Sequence, residues 1–526
     1  MKRVFSNWKQ DLPASLVVFL VALPLCLGVG LASTSAKDIV GMPNIFSGII
    51  AGVVGGVVVG FLSQSRIGVS GPAAGLITIV IAAITTLGSF EGFLVAVMIA
   101  GVLQFIAGFA GLGILGNYFP SSVIKGMLAA IGLTLILKEI PHAMGYDKDF
   151  FGDEAFFQFD GHNTFSELLY ATNALHPGSI IISVVSIILL ILFDRPFFKR
   201  IAMFKYIPGA LIVVLTGVGM NLIFSQFGEG LNVTEKHLVQ LPVANSISEF
   251  GSFFSFPDFS FLKNINVYIV GATIALVGSL ETLLSVEATD KLDPDKHHTP
   301  TNRELKAQGI GNILSGLVGG LPVTQVIVRS SANVNAGVKS KLSTILHGLL
   351  LLFSVFFIPA TINLIPLASL AAILIMVGYK LSKVQLYKQL YRLGLDQFLP
   401  FIATIIGVLF TDLLKGIGIG MAFSVFFILR RNYRNNYTLE TSGSDAEKEV
   451  KIILSEEVTY LNKGSIFETL EGIPENTSVS IDGSKCKAID YDVLELIQEF
   501  KKFGAPEKNI TLTTINIPDV ELSGGH

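Results

Sequence analysis

The chain has 526 residues, of which 51% are hydrophobic and only 15% are charged. This composition excludes a soluble globular protein and predicts a polytopic membrane protein. The net charge of −3 indicates no particular partner, and a nucleic-acid partner is not expected. Cys26 and Cys486 are far apart and lack ligand spacing, so neither a disulfide framework nor a thiolate metal site is predicted.

Apolar segments long enough to cross a bilayer recur between Leu12 and Arg430. A helix of roughly 17–25 residues spans the hydrocarbon, and about fourteen such segments can be counted, some of them short or broken. The segment Met1–Gln10 lacks the features of a cleavable signal peptide, so we expect the first span to be retained. Basic short loops alternate with acidic or neutral ones, which predicts a protein of the cytoplasmic membrane with both termini in the cytoplasm.

The second apolar segment carries glycine at every fourth position, at Gly48, Gly52, Gly56 and Gly60. On a helix these positions share one face, which then has no side chains to hold a neighbour away. The spacing therefore predicts close helix packing and not a ligand site.

Two short Gly/Pro segments interrupt apolar runs at comparable places in the two halves of the membrane region. They are Ser70–Gly75 (Ser-Gly-Pro-Ala-Ala-Gly) and Gly319–Gln325 (Gly-Gly-Leu-Pro-Val-Thr-Gln). Broken helices are tolerated in lipid only where the freed backbone groups find partners in protein or in a polar cavity. A pair in matching positions predicts the midplane substrate site of a transporter.

Glu281 lies in the middle of an apolar run, and Ser285 is one helical turn further on the same face. A charge in a span is expensive and is usually functional. The carboxylate can ligate sodium together with hydroxyl and carbonyl oxygens, bind a proton, or pair permanently with a neighbouring helix. His297-His298 lies in a polar loop without ligand spacing, so we interpret it as a solvated turn and predict no metal site there.

Arg329 lies about two turns into a helix expected to begin near Val323, whose positive dipole end favours an anion. Val326 and Ile327 can bind an anion through their main chain. Arg329 can alternatively snorkel to the interface, and Gln325 can contact the ligand or cap a neighbouring helix. The predicted substrate-binding residues are Ser70, Gly71, Ala73, Ala74, Gln325, Val326, Ile327 and Arg329.

The composition changes after Asn432, where a polar linker leads into a segment of mixed charge. The predicted domains are a transmembrane domain at 1–432, a linker at 433–446 and a soluble domain at 447–526. Alternating strands and helices indicate a small α/β unit. The predicted strands are Val450–Leu454, Val479–Ile481 and Ile510–Ile515, and the predicted helices are Ile466–Leu470 and Val493–Phe500.

Four stretches carry a family resemblance when they are taken together and in this order. They are Ser70-Gly-Pro, the run Gly278–Ser285, Gly319-Gly-Leu-Pro322 and Arg329–Gly337. With them, essentially the whole chain resembles the SulP anion transporters. The resemblance implies an α-helical membrane fold of seven-plus-seven inverted repeats of the uracil-permease type, with core and gate domains. It also implies a homodimer, with the anion between the starts of the third and tenth helices.

The resemblance implies a role for several single residues. Glu281 matches the acidic position of the eighth helix, where sodium-coupled bicarbonate transporters carry Asp, so sodium and proton coupling both stay open. Ser285 matches a hydroxyl position beside it. Ala73 stands where many relatives have Thr, and Arg329 matches a basic position near the anion.

The substrate expectation rests on the first helix. Leu25 stands where sulfate-type members often carry Gln, and Ala22-Leu-Pro-Leu25 resembles the same stretch of cyanobacterial bicarbonate transporters. Loss of the amide favours a small monoanion, so we expect secondary active transport of bicarbonate with sodium or a proton. A sulfate transporter and an uncoupled anion channel are the alternatives. No cofactor is expected, and sodium stays open as the coupling ion.

The C-terminal domain resembles a STAS domain through Ile481-Asp-Gly-Ser484 and Ile489-Asp490. Tyr491 replaces the Ser that is phosphorylated in anti-sigma antagonists. The chain ends soon after Pro518, so we expect the last helix of that domain to be missing, and a role in dimerisation or in binding a cytoplasmic regulator. A membrane-bound regulator would need no carboxylate at Glu281. A membrane enzyme is not expected, because the spans contain no nucleophile–base pair.

Overall fold

The computed structural model of the protein describes residues 7–33, 45–149, 156–157, 162–195, 197, 207–227, 230–244, 247–434, 437–442 and 449–520. By internal contacts the chain divides into two compact units, Met1–Met421 and Ala422–His526. The first residues of the chain and the predicted linker residues 443–446 lie outside the described residues.

Most of the chain before residue 435 is helical. Its helices are α1 (Trp8–Ser33), α2 (Phe46–Leu62), α3 (Ala74–Leu87), α4 (Phe90–Phe109), α5 (Ser121–Met144), α6 (Thr164–Asn173), α7 (Pro177–Asp194), α8 (Gly209–Phe224), α9 (Ile247–Gly251), α10 (Ile265–Leu292), α11 (Thr301–Leu317), α12 (Ile327–Asn335), α13 (Leu342–Phe357), α14 (Pro359–Ile362), α15 (Leu367–Leu381), α16 (Val384–Arg392), α17 (Leu395–Phe410) and α18 (Leu413–Arg434). Two three-residue strands separate some of them, β1 (Ser70–Pro72) and β2 (Val323–Gln325).

Many of these helices are apolar enough to lie in a bilayer. In the part of the chain that the structure describes, six spans are long enough to cross the membrane, and five apolar helices are shorter. The predicted multi-pass membrane protein is thereby confirmed, whereas the predicted number of spans stays a prediction.

The membrane helices pack in two groups. In the first group α1 packs against α13 and α2, and α4 packs against α11 and α10. In the second group α5 packs against α15 and α17, and α7 packs against α15 and α8. The first group thus combines the opening helices of each half of the chain, α1–α4 and α10–α13. This is the arrangement of an inverted repeat, and it places β1 and β2 at equivalent positions before the third helix of each half.

The two predicted interruptions meet each other. β1 and β2 pair in antiparallel fashion, with Ser70 opposite Gln325, Gly71 opposite Thr324 and Pro72 opposite Val323. Each strand thereby gives the other partners for its backbone groups, which is the condition for non-helical chain at membrane depth.

The glycine stripe of α2 is a packing surface, as its spacing predicts. A Cβ atom on Gly48 would lie 2.0 Å from the carbonyl oxygen of Cys26, and one on Gly56 would lie 2.7 Å from the Cα of Gly348. Neither approach leaves room for a side chain. The stripe therefore lets α1 and α13 reach the backbone of α2, which widens into a π turn at Gly55–Val59.

The C-terminal unit is the predicted small α/β fold. After the end of α18 it contains β3 (Tyr437–Ser442), β4 (Glu449–Leu454), β5 (Glu457–Val458), α19 (Lys463–Glu471), β6 (Ser478–Asp482), β7 (Ala488–Ile489), α20 (Tyr491–Glu499), α21 (Ala505–Glu507) and β8 (Thr511–Ile515). The main sheet has the order β3-β4-β6-β8, with β3 antiparallel to β4 and the other pairs parallel. All three predicted strands and both predicted helices are present.

One element of this unit corrects the sequence analysis. Part of the predicted linker, Tyr437–Ser442, is the edge strand β3 and pairs along its full length with β4. The ring of Tyr437 packs on the buried core of the unit, and its hydroxyl bonds Thr469. The polar composition of the segment reflects its position at a sheet edge, where only part of the strand is covered.

Candidate anion-binding site

Two helices begin immediately after the paired strands. Ala73 and Val326, the residues before the first turns of α3 and α12, have extended backbones, and no described side chain caps either helix. The first N–H groups of a helix have no acceptor within the helix, and the dipole adds positive potential there. Because β1 and β2 are antiparallel, these two starts lie on either side of one strand pair. They form a place suited to an anion.

One predicted donor is already in use. The N–H of Val326 donates to the carbonyl oxygen of Val69 at 2.9 Å, because this bond continues the β1–β2 ladder. Its backbone donor is therefore unavailable to an anion. The first-turn donors of α12 begin at Ile327, which is buried, as is Ala73 on the other side of the pair.

The side chains of Ser70 and Gln325 point away from their shared backbone ladder. The hydroxyl of Ser70 accepts a hydrogen bond from Gln308 of α11 at 2.8 Å. The amide of Gln325 donates to Thr289 of α10 at 3.3 Å. Of the two roles predicted for Gln325, the structure shows the contact with a neighbouring helix. These two residues hold the strand pair between α10 and α11.

Arg329 lies in the first turn of α12, which begins at Ile327 and not near Val323 as the sequence predicted, because residues 323–325 form β2. It is buried beside the first interruption. Its side chain is only 1% exposed, and its Nη2 donates to the carbonyl oxygen of Pro72 at 3.5 Å. A Cβ atom on Gly71 would lie 2.1 Å from Nη1, so the glycine is what allows the guanidinium to lie against β1. Its Nε and Nη1 have no hydrogen-bond partner among the described residues. A buried cation with unused donors calls for an anion.

Glu281 lies on the α3 side of the strand pair. It is 7% exposed, and its Oε1 is 3.1 Å from the position of a Cβ atom on Gly75. Ser285 is buried one turn further along α10. Thr324 of β2 is near the same helix, and within the described part of the chain its hydroxyl has no partner. This set of carboxylate and hydroxyl oxygens is of the type that a hard cation such as sodium binds.

A polar stripe on α11 was missed by the sequence analysis. Glu304, Gln308 and Asn312 follow one another at intervals of four residues on the buried face of this helix. Gln308 bonds both Glu304 at 2.9 Å and Ser70. The amide of Asn312 donates to the carbonyl of Val323 at 3.0 Å and accepts from its N–H at 2.6 Å. The four-residue spacing of polar groups in a membrane helix was the available signal.

The turn around His297 contains a cluster of potential metal ligands. Ligand atoms of Asp293, Asp295 and His297 lie within 4.8 Å of one another. The imidazole Nδ1 is 3.0 Å from Asp293, and Lys339 pairs with Asp295 at 3.2 Å. Burial alone would raise the pKa of Asp293, but hydrogen bonds from the N–H of Asp295 and from His297 lower it overall. The carboxylates of this turn are thus already paired with hydrogen-bond donors and a lysine of the protein itself.

The fold has two inverted halves, and a short strand precedes the third helix of each half. The two strands pair, and a buried arginine lies beside them. These features define a membrane transporter of the inverted-repeat class. Comparison with known proteins gives the family. The chain belongs to the sulfate permease family, whose profile matches residues 8–404. It is therefore an anion transporter, as the resemblance to SulP proteins predicts.

Relatives in this family have been named for different anions. The putative sulfate transporter YvdB of Bacillus subtilis is 27% identical over 431 residues, which cover 81% of this chain and 74% of that protein. The bicarbonate transporter BicA of Picosynechococcus is 25% identical over 519 residues, 94% of this chain and 84% of that protein.

Solved structures share the fold. The alignment with the transmembrane domain of a cyanobacterial bicarbonate transporter BicA covers 79% of this chain and 98% of that structure's chain, with a TM-score of 0.55 and 22% identity. A second alignment is with the murine solute carrier 26 family member A9 anion transporter in its inward-facing state. It covers 97% of this chain and 85% of that structure's chain, with a TM-score of 0.63 and 15% identity. The predicted inverted-repeat fold is confirmed, and the count of fourteen spans stays a prediction.

Proposed function

We propose that the protein carries bicarbonate across the cytoplasmic membrane by secondary active transport, coupled to sodium or a proton at Glu281. The observation that carries this proposal is the fully buried Arg329, whose Nε and Nη1 donors have no partner among the described residues. A charge in this position is strongly destabilising unless an opposite charge joins it. An anion bound between the starts of α3 and α12 supplies that charge.

The same elements support coupling. Glu281 packs against the first turn of α3 at Gly75, while Arg329 packs against Gly71 in the strand that precedes this turn. An anion and a cation would thus bind to opposite sides of one short segment. Glu281, Ser285 and Thr324 supply the oxygens for sodium, and Glu281 alone is sufficient for a proton. Binding of either cation would favour the anion by charge, which is the basis of symport.

Two side chains support bicarbonate over sulfate. Leu25 is a buried apolar residue of α1 and Ala73 has no hydroxyl, so neither adds a polar group for a strongly hydrated dianion. The relative named as a bicarbonate transporter also matches 94% of this chain. Sulfate is the second candidate substrate, favoured by the family match and by the relative YvdB.

Counterflow in proteoliposomes tests the substrate and the coupling. Vesicles loaded with unlabelled bicarbonate should accumulate labelled bicarbonate in preference to labelled sulfate, and net uptake should depend on a sodium gradient at fixed pH or on an inward proton gradient without sodium. Uptake of sulfate alone would contradict the bicarbonate proposal. A current that reverses at the equilibrium potential of one anion, without either gradient, would identify an uncoupled channel.

The C-terminal unit and the oligomer complete the proposal. We expect a homodimer embedded in lipid, with the α/β unit in the cytoplasm acting in dimerisation or in binding a regulator. The residues of the proposed anion site belong to the strand pair and to α3 and α12, and none of them belongs to the C-terminal unit. The C-terminal unit is therefore expected to affect how much transport occurs and not which anion is carried.

A further inference from the structure

Two more buried polar side chains lie around Arg329. They are Cys26 of α1, which lies beside the guanidinium, and His347 of α13, which is close enough for the positive charge of Arg329 to repel a proton on its ring. His347 is 0% exposed. The glycine stripe of α2 admits both: a Cβ atom on Gly52 would lie 2.5 Å from the Cys26 sulfur, and one on Gly56 would lie 2.7 Å from Cε1 of His347. A Cβ atom on Gly71 would lie 2.1 Å from Nη1 of Arg329 and 3.7 Å from the Cα of Gly52, so the guanidinium lies beside Gly52 and the imidazole beside Gly56.

The hydrogen bond of His347 fixes which ring nitrogen carries the hydrogen. Nδ1 is 2.6 Å from the carbonyl oxygen of Thr344, and a carbonyl oxygen can only accept. Nδ1 is therefore the N–H donor. A second buried positive charge close to Arg329 would be repelled, so the ring is neutral and Nε2 presents a lone pair. Within the described residues, Nε2 has no hydrogen-bond partner.

The buried cluster thus offers unused groups of two kinds. Arg329 has two positively charged donors, and His347 has one acceptor. Leaving a buried polar group unpaired costs about 1–3 kcal/mol. A ligand that satisfies both residues must carry negative oxygens and also one O–H. Bicarbonate has this combination, whereas sulfate, chloride and nitrate have no hydrogen to donate.

The spacing of the cluster fits such a ligand. Gly52 and Gly56, which the two polar groups approach, are one helical turn apart, or roughly 5–6 Å along the axis. An oxyanion that makes a hydrogen bond of about 2.8 Å at each end can bridge a gap of this size. One end would accept from the guanidinium, and the other would donate to the imidazole.

We propose that His347 is a specificity-determining residue of the anion site, whose Nε2 accepts the hydroxyl hydrogen of a monoprotonated oxyanion bound at Arg329. This inference rests on the proposed function, because it places the substrate beside Arg329. It adds a reason for substrate choice: the site selects for an O–H group and not only for negative charge.

Nitrate is the matched probe, because it is a planar monoanion of the same shape as bicarbonate without the hydroxyl. The experiment measures how unlabelled bicarbonate and nitrate compete with labelled bicarbonate for uptake into proteoliposomes, at alkaline pH where bicarbonate predominates. Wild type should prefer bicarbonate over nitrate by about five- to tenfold, the effect of one hydrogen bond. Equal competition by the two anions in wild type would overturn the inference without any variant.

Two substitutions separate the acceptor from the shape of the ring. His347→Gln can place an amide oxygen where Nε2 lies, and should keep the preference. His347→Asn reaches only the position of Nδ1, keeps the bond to Thr344 and loses the acceptor, so its preference for bicarbonate over nitrate should disappear. Equal loss of uptake of both anions in both variants, with a wild-type melting temperature, would show a structural role and contradict the inference.

The Arg329→Ala variant separates failure of the proposed function from failure of the inference about His347. If Arg329→Ala leaves the affinity for bicarbonate and nitrate unchanged, the anion binds elsewhere, and the proposed site fails together with the inference. If Arg329→Ala weakens both anions while His347→Asn keeps the preference, only the inference about His347 fails.

Discussion

The two helix starts at the strand crossing have the same backbone and different chemistry. β1 leads into α3 through Ala73, and the sequence of α3 contains no charged residue. β2 leads into α12 through Val326, and Arg329 follows in the first turn. Glu281 in turn packs on the α3 side, against Gly75. An inverted repeat thus provides a symmetric frame, and the difference between its halves places a buried guanidinium on one side and a buried carboxylate on the other.

The role that the two helix starts share can be tested by filling the space at either of them with a bulky side chain. Ala73→Phe and Ile327→Phe should each abolish transport, because both positions are buried and a ring would occupy the space between the starts. Uptake in proteoliposomes measures the loss, and gel filtration in detergent reports the fold. Val326→Ala is the control and should be mild, since its N–H stays bonded to Val69. Normal uptake in both Phe variants would mean that the anion binds elsewhere.

The negative side is tested by Glu281→Gln, which keeps the shape of the side chain and removes its charge. Concentrative uptake should be lost, because the neutral amide has no negative charge to attract sodium and does not take up a proton. Exchange of labelled for unlabelled anion across the membrane should continue, which shows that the protein is folded. Wild-type accumulation by this variant would remove Glu281 from the coupling mechanism.

The positive side is tested by Arg329→Ala. Anion binding should weaken by about 1.5–3 kcal/mol, or roughly ten- to 150-fold in Kd, if the guanidinium donates a charge-assisted bond. Arg329→Lys is the matched control: it retains the charge without the planar donors and should show an intermediate loss. Anion-dependent thermal stabilisation in detergent gives the affinity. An unchanged Kd for Arg329→Ala would mean that the anion binds elsewhere and would contradict the proposed site.

The smallest effect is expected from the C-terminal unit. Deletion of Glu447–His526 should lower expression or dimer stability and leave the ratio of bicarbonate to sulfate uptake within about twofold, because no residue of the proposed site belongs to this unit. Transport assays on the truncated and full chains give the ratio. A switched anion preference would show that the unit contributes to selectivity.

Local sequence signals predicted the parts of the site that are unusual for a membrane span. Glycine and proline in an apolar run indicated both interruptions, and a mid-span carboxylate or guanidinium drew attention to Glu281 and Arg329. The use of the Val326 N–H by Val69 could not be predicted, because it depends on the register of two strands far apart in the chain. The same holds for Gln308, whose role appears only once Ser70 is beside it.

Edge elements were predicted less well. β3 has a polar sequence because its outer side is not covered by another strand, so composition resembled that of a linker. Its partners are β4 and Thr469, which lie further along the chain. Inner strands such as β6, which has a neighbouring strand on each edge, were found because their alternating hydrophobic pattern can be seen without knowing a partner.

The β1–β2 pair also has a consequence for how the protein is made. Ser70 and Gln325 are roughly 250 residues apart, so at ribosomal rates of about 5–20 residues per second β1 must wait on the order of ten seconds or more for its partner. During that time the first half is in the membrane with an unpaired strand edge, a state that lipid tolerates poorly. The proposed transport site is therefore completed late in biogenesis. Nascent chains that stop before β2 should be the ones that quality-control proteases recognise.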